Sequence, residues 1–186
     1  MANDVSLRPV TPPTAALLVV DVQERLIRVM PEPERLVRRI EQLLRASQIL
    51  QVPVFVTEQV PEKIGPTVEP LRSLLPGAPH PKSSFSCWGC ESLKGALSSC
   101  GCSTVIVTGI ETHVCVYQTV RDLLARDFRV LVVADAVDSR SSTDRQVALN
   151  RMRQAGAEVV TVEMLLFDLL GDATHPKFRT IHALVK

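Results

Sequence analysis

Short runs of uninterrupted apolar, largely β-branched residues recur along this chain, and amphipathic stretches separate them. The runs are Ala15–Val20, Val54–Thr57, Thr104–Thr108, Arg129–Ala134 and Glu158–Val162. Between the first two, Glu32–Gln51 places Leu36, Val37, Ile40, Leu43 and Leu44 on one helical stripe. Helices are also predicted over Glu91–Cys100, ended near Gly101, and over Val114–Arg126, with Val116, Val120, Leu123 and Leu124 facing inward. Ser141 and Asp144 form a capping-box pattern for a helix over Ser141–Ala155, and Gly156 offers its left-handed C-terminal residue. Met164–Leu170 and Lys177–Val185 read as two short terminal helices. Strands that are apolar on both faces must be covered on both faces, and strands that alternate with helices join in parallel. The expected fold is therefore α/β, a mostly parallel sheet with helices on both sides. A chain of 186 residues suits one such domain. We expect it to span 15–186, after a flexible N-terminal arm over 1–14 whose stretch Arg8–Thr14 is rich in Pro and Thr.

Charge and composition narrow the function classes. The 21 basic side chains against 20 acidic give a net charge of +1, and aromatics are 4%. That balance argues against a nucleic-acid binder or a binder of anionic membranes, which would show a clustered basic excess. Arg35, Arg38 and Arg39 are interleaved with Glu34 and Glu41 and read as the solvated face of a helix. No apolar run reaches the roughly 18 residues that a membrane span needs. The N-terminal stretch lacks a hydrophobic signal region and is poor in Arg, so a cytoplasmic protein is expected, with a mitochondrial one left open. Five cysteines is an odd number, and without a secretory signal no disulfide framework is expected.

Three residues sit where apolar runs or loops end: Asp21 after AALLVV, Lys82 in PHPKSSF and Cys115 in TGIETHVC. In parallel α/β sheets, ligands bind outside the carboxyl ends of the strands, so a fold can gather these three. A carboxylate, an ammonium and a thiol together make a nucleophilic site. Each also has a plain reading. Cys115 at a helix start is either an activated thiol or a buried small hydrophobe. Asp21 is either a base or a turn residue that caps the next helix. Lys82, at the end of a long Pro-rich loop from Pro61 to Pro81, is either a site cation or a surface lysine.

The ordered set VVDVQ, HPKSSFS and GIETHVCV resembles the isochorismatase-like cysteine hydrolases. ADAVDSRS, RMRQAGAEVVT and LLFDLLGDATHPKF extend the likeness to about Gly171, and are similar to the branch called isochorismatase-domain-containing proteins. The resemblance implies a three-layer, Rossmann-like fold with a six-stranded sheet. It implies a triad in which Asp21 is the base, Cys115 the nucleophile and Lys82 the cation that holds them in register. It also implies a non-proline cis peptide at Ile110–Glu111 and an oxyanion hole made by the Glu111 and Cys115 backbone N–H groups. The implied reaction is attack on a small amide, carbamoyl or related C–N substrate through a thioester-type intermediate. Isochorismatase proper cleaves a vinyl ether without a cysteine, so Cys115 points away from that substrate. Nicotinamidases bind a metal through an Asp-x-His and a further His after the second strand. TEQVPEKIG has no histidine, so no metal and no cofactor are expected. Gln23, Phe85, Trp88, Thr112 and Tyr117 lie near the triad in sequence and are candidates to bind substrate, with Phe85 and Trp88 as an apolar wall. His113 reads as pocket rim, subunit contact or packing. Related proteins are usually homo-oligomers, which would place Phe167, Leu169, Leu170 and Phe178 at a subunit contact.

Rival readings remain on the sequence. Cys87-Trp-Gly-Cys90 and Cys100-Gly-Cys102 are two thiol pairs that can bind zinc or act in redox chemistry, against the plainer reading of free small hydrophobes around one helix. A non-catalytic scaffold that keeps the fold is the other rival. A nuclease is weaker still, for want of grip on a phosphate backbone.

Overall fold

Every residue of the strand Ala15–Val20 (β1) is buried, a pattern open only to a central strand with a layer packed on each face. The computed structural model describes residues 8–186. The other strands are Val54–Gln59 (β2), His80–Lys82 (β3), Thr104–Ile110 (β4), Arg129–Asp138 (β5) and Glu158–Val160 (β6). They form one sheet in the order β3-β2-β1-β4-β5-β6, and every neighbouring pair is parallel. The helices in chain order are Glu24–Ile27 (α1), Pro33–Leu50 (α2), Pro61–Ile64 (α3), Glu91–Ser99 (α4), Tyr117–Leu124 (α5), Ser142–Gln154 (α6), Val162–Leu170 (α7) and Phe178–Val185 (α8). A π-helical turn, Thr112–Val116, leads into α5.

Alternation along β1 divides the core into two layers. Leu17 and Val19 pack with Leu36, Ile40, Leu43 and Leu44 of α2, Leu165 and Leu166 of α7, and Ile181 of α8. Ala16, Leu18 and Val20 pack with Leu93 and Leu97 of α4, Val120 and Leu123 of α5, and Leu149 and Met152 of α6. The three-layer α/β architecture is the expected one. Ser141 caps α6 by accepting from the Asp144 N–H at 3.2 Å.

Several local expectations need correction. The Pro61–Pro81 stretch is not featureless: it holds α3, a 3₁₀ turn at Arg72–Leu74 and the start of β3. Lys82 therefore ends an edge strand rather than riding a loop. β5 runs on to Asp138, past the expected end at Ala134, across a register shift between Val107 and Gly109 on β4. β6 stops at Val160 because Thr161 caps α7, its hydroxyl accepting from the Met164 N–H. The described part of the arm is docked. Val10 is buried, its N–H donates to Asp168 Oδ2 at 2.9 Å, and Pro12–Thr14 forms a 3₁₀ turn. The rest of the expected arm, 1–7, lies outside the described residues. Leu169 and Leu170, expected at a subunit contact, are buried in the chain's own core. Phe178 packs against that core and meets Phe167, which is 37% exposed, edge-on at 6.2 Å. Cys100 and Cys102, expected as free thiols, are joined by a disulfide.

Gly109 lets the central strands close. Its φ is +112°, and a Cβ there would lie 2.1 Å from the Val20 carbonyl oxygen of β1. Backbone cannot yield as a flexible side-chain tip can, so any larger residue must separate β1 from β4. Gly109→Ala is expected to destabilise the fold by at least about 2 kcal/mol in urea titration, through backbone strain and clash combined. A change within experimental error would contradict this account.

Candidate active site

The strand order sets four carboxyl ends side by side: β3, β2, β1 and β4. Asp21 follows β1, Thr57 and Gln59 lie near the carboxyl end of β2, Lys82 ends β3, and Cys115 lies in the π turn after β4. Asp21 takes the left-handed conformation, with φ of 51°, which Asp tolerates better than most residues. Its N–H donates to the Thr57 carbonyl at 3.2 Å, and its own carbonyl accepts from the Gln23 N–H at 2.8 Å. The side chain is thereby turned into the protein. It does not cap α1, whose N-terminal position is Gln23.

Asp21 is the hub. Lys82 Nζ donates to Asp21 Oδ2 at 2.6 Å, and both side chains are fully buried. The Thr57 hydroxyl donates to Asp21 Oδ1 at 2.7 Å. The same carboxylate acts on the Cys115 thiol through its charge and as a hydrogen-bond acceptor. Lys82 also donates to Gln59 Oε1 at 2.7 Å and to the Ser84 and Phe85 carbonyls at 3.1 and 3.2 Å. Burial works against the Lys82 ammonium, but Asp21, with Cys87 and Cys115, outweighs it and holds the ammonium above its ordinary range.

The surroundings of the thiol disfavour its thiolate form. Burial first, then the charge of Asp21, push the Cys115 thiol well above its ordinary range, with Lys82 pulling the other way. Burial and the carboxylate thus work against the thiolate that a helix start favours. Cys115 is four residues past the Glu111 cap, in a turn whose Val116 N–H reaches back five residues to the Glu111 carbonyl. Proximity to a carboxylate and removal from water outweigh the helix end there. The arrangement can pass one proton from sulfur to a carboxylate beside a buried cation.

The Ile110–Glu111 peptide bond is cis. The Glu111 carboxylate accepts from the Arg140 N–H at 3.1 Å, which ties this turn to the extended end of β5. His113 shares a hydrogen bond with the buried Ser139 hydroxyl at 3.0 Å and so faces β5. Among the described residues, the Thr112 hydroxyl is the buried side-chain polar group without a hydrogen-bond partner.

The other expected pocket residues divide. Phe85 is 54% exposed, and its carbonyl binds Lys82. Tyr117 is partly buried against the helix-α5 side of the core. Gln23 is 0% exposed and serves as an internal brace: its amide bonds Gln59 through both backbone groups and the Gly65 carbonyl. Trp88 does not join Phe85 in a wall. Its ring meets Phe128 at 6.0 Å and the Arg126 guanidinium at 4.8 Å, beyond the far end of α5. A groove of 210 Å³ lined by Val60, Pro61, Glu62, Pro81, Lys82 and Ser83 borders the site, and neither Asp21 nor Cys115 lines it. Cys115 is 6% exposed.

Sequence reasoning missed Thr57, Gln59 and Cys87. The first two lie at alternate positions on one face of β2, in the segment TEQ, and polar residues closing a buried strand were the available signal. Cys87 lies 3.5 Å from the Thr57 hydroxyl. That hydroxyl has one proton, which goes to Asp21, so the thiol is the donor. Burial, then Asp21, push Cys87 up to about 11. Cys90 contacts the Pro81 carbonyl and the Ser92 hydroxyl instead. The four cysteines of the zinc reading are thus divided among separate contacts. Among the described residues no group of three or more His, Cys, Asp or Glu is placed to hold a metal ion. Among them also, no helix is long and apolar enough to cross a membrane.

Comparison with known proteins places the fold in a family. The isochorismatase domain family model matches residues 15–164. Isochorismatase domain-containing protein 2 of Danio rerio is 42% identical over 176 residues, which is 92% of this chain and 86% of that protein. Isochorismatase domain-containing protein 1 of Salmo salar is 38% identical over 175 residues, and the chain spans 62% of its length. Among solved structures, the MAR1 ribonuclease of Caenorhabditis elegans superposes with a TM-score of 0.89 at 38% identity, covering 96% of this chain and 92% of that one. YcaC of Pseudomonas aeruginosa, solved with hexane-2,5-diol and covalent acrylamide, gives 0.90 at 25% identity with the same coverage. YcaC of Escherichia coli, described as an octameric hydrolase of unknown specificity, gives 0.85 at 25% identity and covers 94% of this chain and 95% of that one. With most of its length inside one family model and relatives near two-fifths identity across nearly all of it, this chain belongs to the isochorismatase domain family.

Proposed function

We propose that this protein is a cysteine hydrolase that cleaves a small amide, carbamoyl or related C–N substrate, with Cys115 as nucleophile, Asp21 as base and Lys82 as the fixed cation. The observation that carries the reading is the place of Asp21, which pairs with the buried Lys82 ammonium at 2.6 Å and bears on the Cys115 thiol. In the proposed reaction Asp21 takes the thiol proton as sulfur bonds to the substrate carbon. The Glu111 and Cys115 backbone N–H groups receive the oxyanion, and the Thr112 hydroxyl offers a further donor to a substrate polar atom. The C–N bond then breaks and the nitrogen leaves with the proton from Asp21. Water, deprotonated by Asp21, attacks the thioester carbon and releases the acid and the thiol.

Proton transfer on demand suits a protonated resting thiol, since the free protein then holds a neutral thiol beside a balanced ion pair. The closed surroundings of Cys115 favour a second reading, a scaffold without turnover. The C. elegans relative brings RNA into consideration. The octameric relative supports a homo-oligomeric form, to be read by light scattering. A cytoplasmic location is part of the same proposal, to be read by cell fractionation.

A screen of small amides, ureides, carbamoyl compounds and RNA oligonucleotides, with mass spectrometry for an adduct on Cys115, tests the reading. Cys115→Ala is expected to abolish turnover with little loss of fold, and full activity in that variant would remove the mechanism. Lys82→Ala and Asp21→Asn are each expected to cost about 10³-fold or more in kcat, because the members act as a unit. The pH behaviour of the thiol has a definite sign. Asp21 raises Cys115 both by charge and by accepting its hydrogen bond. Asp21→Asn therefore moves the rate-versus-pH curve of Cys115 alkylation to lower pH, making the thiol more reactive at neutral pH while turnover is lost. A curve displaced to higher pH would show that Asp21 does not act on the thiol in this way.

A further inference from the structure

The Lys82 ammonium carries three protons, and the protein already accepts all of them. Asp21 Oδ2 and Gln59 Oε1 take one each, at 2.6 and 2.7 Å, and the Ser84 and Phe85 carbonyls share the third at 3.1 and 3.2 Å. No proton is left for a substrate atom. Lys82 acts on the site by its charge and by where that charge is held, so the groups that hold it matter.

Gln59 is built for that task. It stands opposite Lys82 in the β2–β3 register. Its amide can point in only one sense, because Nε2 donates to the Ser83 carbonyl at 2.7 Å. The flipped amide would set oxygen against that carbonyl and nitrogen against the ammonium. Gln59 is itself clamped: its N–H donates to Gln23 Oε1 at 2.7 Å and its carbonyl accepts from Gln23 Nε2 at 3.1 Å. Two residues earlier on the same face, Thr57 holds Asp21 in the matching way.

We propose that Gln59 is a positioning residue, holding the Lys82 ammonium between Asp21 and the Ser84–Phe85 carbonyls so that its charge bears on Cys115 from a fixed place. This rests on the reading of Cys115 as the nucleophile. Gln59 touches no reacting atom and acts through Lys82.

The test is the rate of Cys115 alkylation by acrylamide at mildly alkaline pH, read by peptide mass spectrometry on folded protein. Wild type, Gln59→Leu, Lys82→Met and the double variant are compared. Loss of a cation that favours the thiolate, or of its anchor, is expected to slow alkylation about tenfold in each single variant. Because Gln59 works through Lys82, the double variant should be no slower than Lys82→Met alone. A folded Gln59→Leu protein that reacts at the wild-type rate, or losses that multiply in the double variant, would overturn the proposal. Should Gln59→Leu fail to fold, Gln59→Glu keeps the length and an acceptor. Its added negative charge is expected to displace the alkylation curve by about one unit to higher pH. An unmoved curve overturns the proposal as well. These comparisons need no substrate, so a wild-type protein without turnover would count against the proposed function and leave the role of Gln59 to be decided by the alkylation rates.

Discussion

A carboxylate and an ammonium, 2.6 Å apart with neither side chain open to water, impose the strictest demand on this structure. Removing two charges from water costs several kcal/mol per ion, and the attraction between them recovers this only when the remaining donors and acceptors are satisfied. Here they are. Thr57 completes Asp21 on the side away from Lys82, and Gln59 with two loop carbonyls completes Lys82. The pair links strands that lie two places apart, with β2 between them. The intervening strand must therefore supply polar residues at its end, and Thr57 and Gln59 meet that need.

The same pair accounts for the state of the thiol. Cys115 shares its burial, and the negative charge of Asp21 weighs on the thiol more than the positive charge of Lys82. The cis bond at Ile110–Glu111 and the π turn that follows set the course of the chain between β4 and the sulfur. The long end of β5 braces that passage through Arg140 and Ser139. Gly109 allows β1 and β4 to approach closely just before the chain reaches Asp21 on one strand and the turn to Cys115 on the other.

The layered fold was legible because it rests on local rules. Continuous apolar runs such as Ala15–Val20 and striped helices such as Pro33–Leu50 announce themselves by period. β3 was not legible, since a three-residue strand of His, Pro and Lys has no apolar signature. It forms because β2 offers an open edge, with Thr57 set opposite His80 and Gln59 opposite Lys82. The directions of Trp88 and Gln23 were not legible for a related reason. Nearness in sequence to a site residue says little about direction, and Trp88 follows its helical turn toward Arg126 while Gln23 turns inward to Gln59. Leu169 and Leu170 read as contact residues until the docking of α7 on the sheet buried them within the same chain.

By itself, the order of residues determined the alternation of strand and helix, the two-sided cover of the sheet, the cap of α6 at Ser141 and the placing of Asp21, Lys82 and Cys115 near strand ends. Tertiary structure alone decided that Asp21 and Lys82 pair out of water, that Gln59 and Thr57 hold them, and that burial and the Asp21 charge bear on the Cys115 thiol. The division follows from range. Period and capping act over a few neighbouring residues, whereas burial, charge balance and hydrogen-bond saturation depend on groups 23 to 61 positions apart being brought to one strand edge.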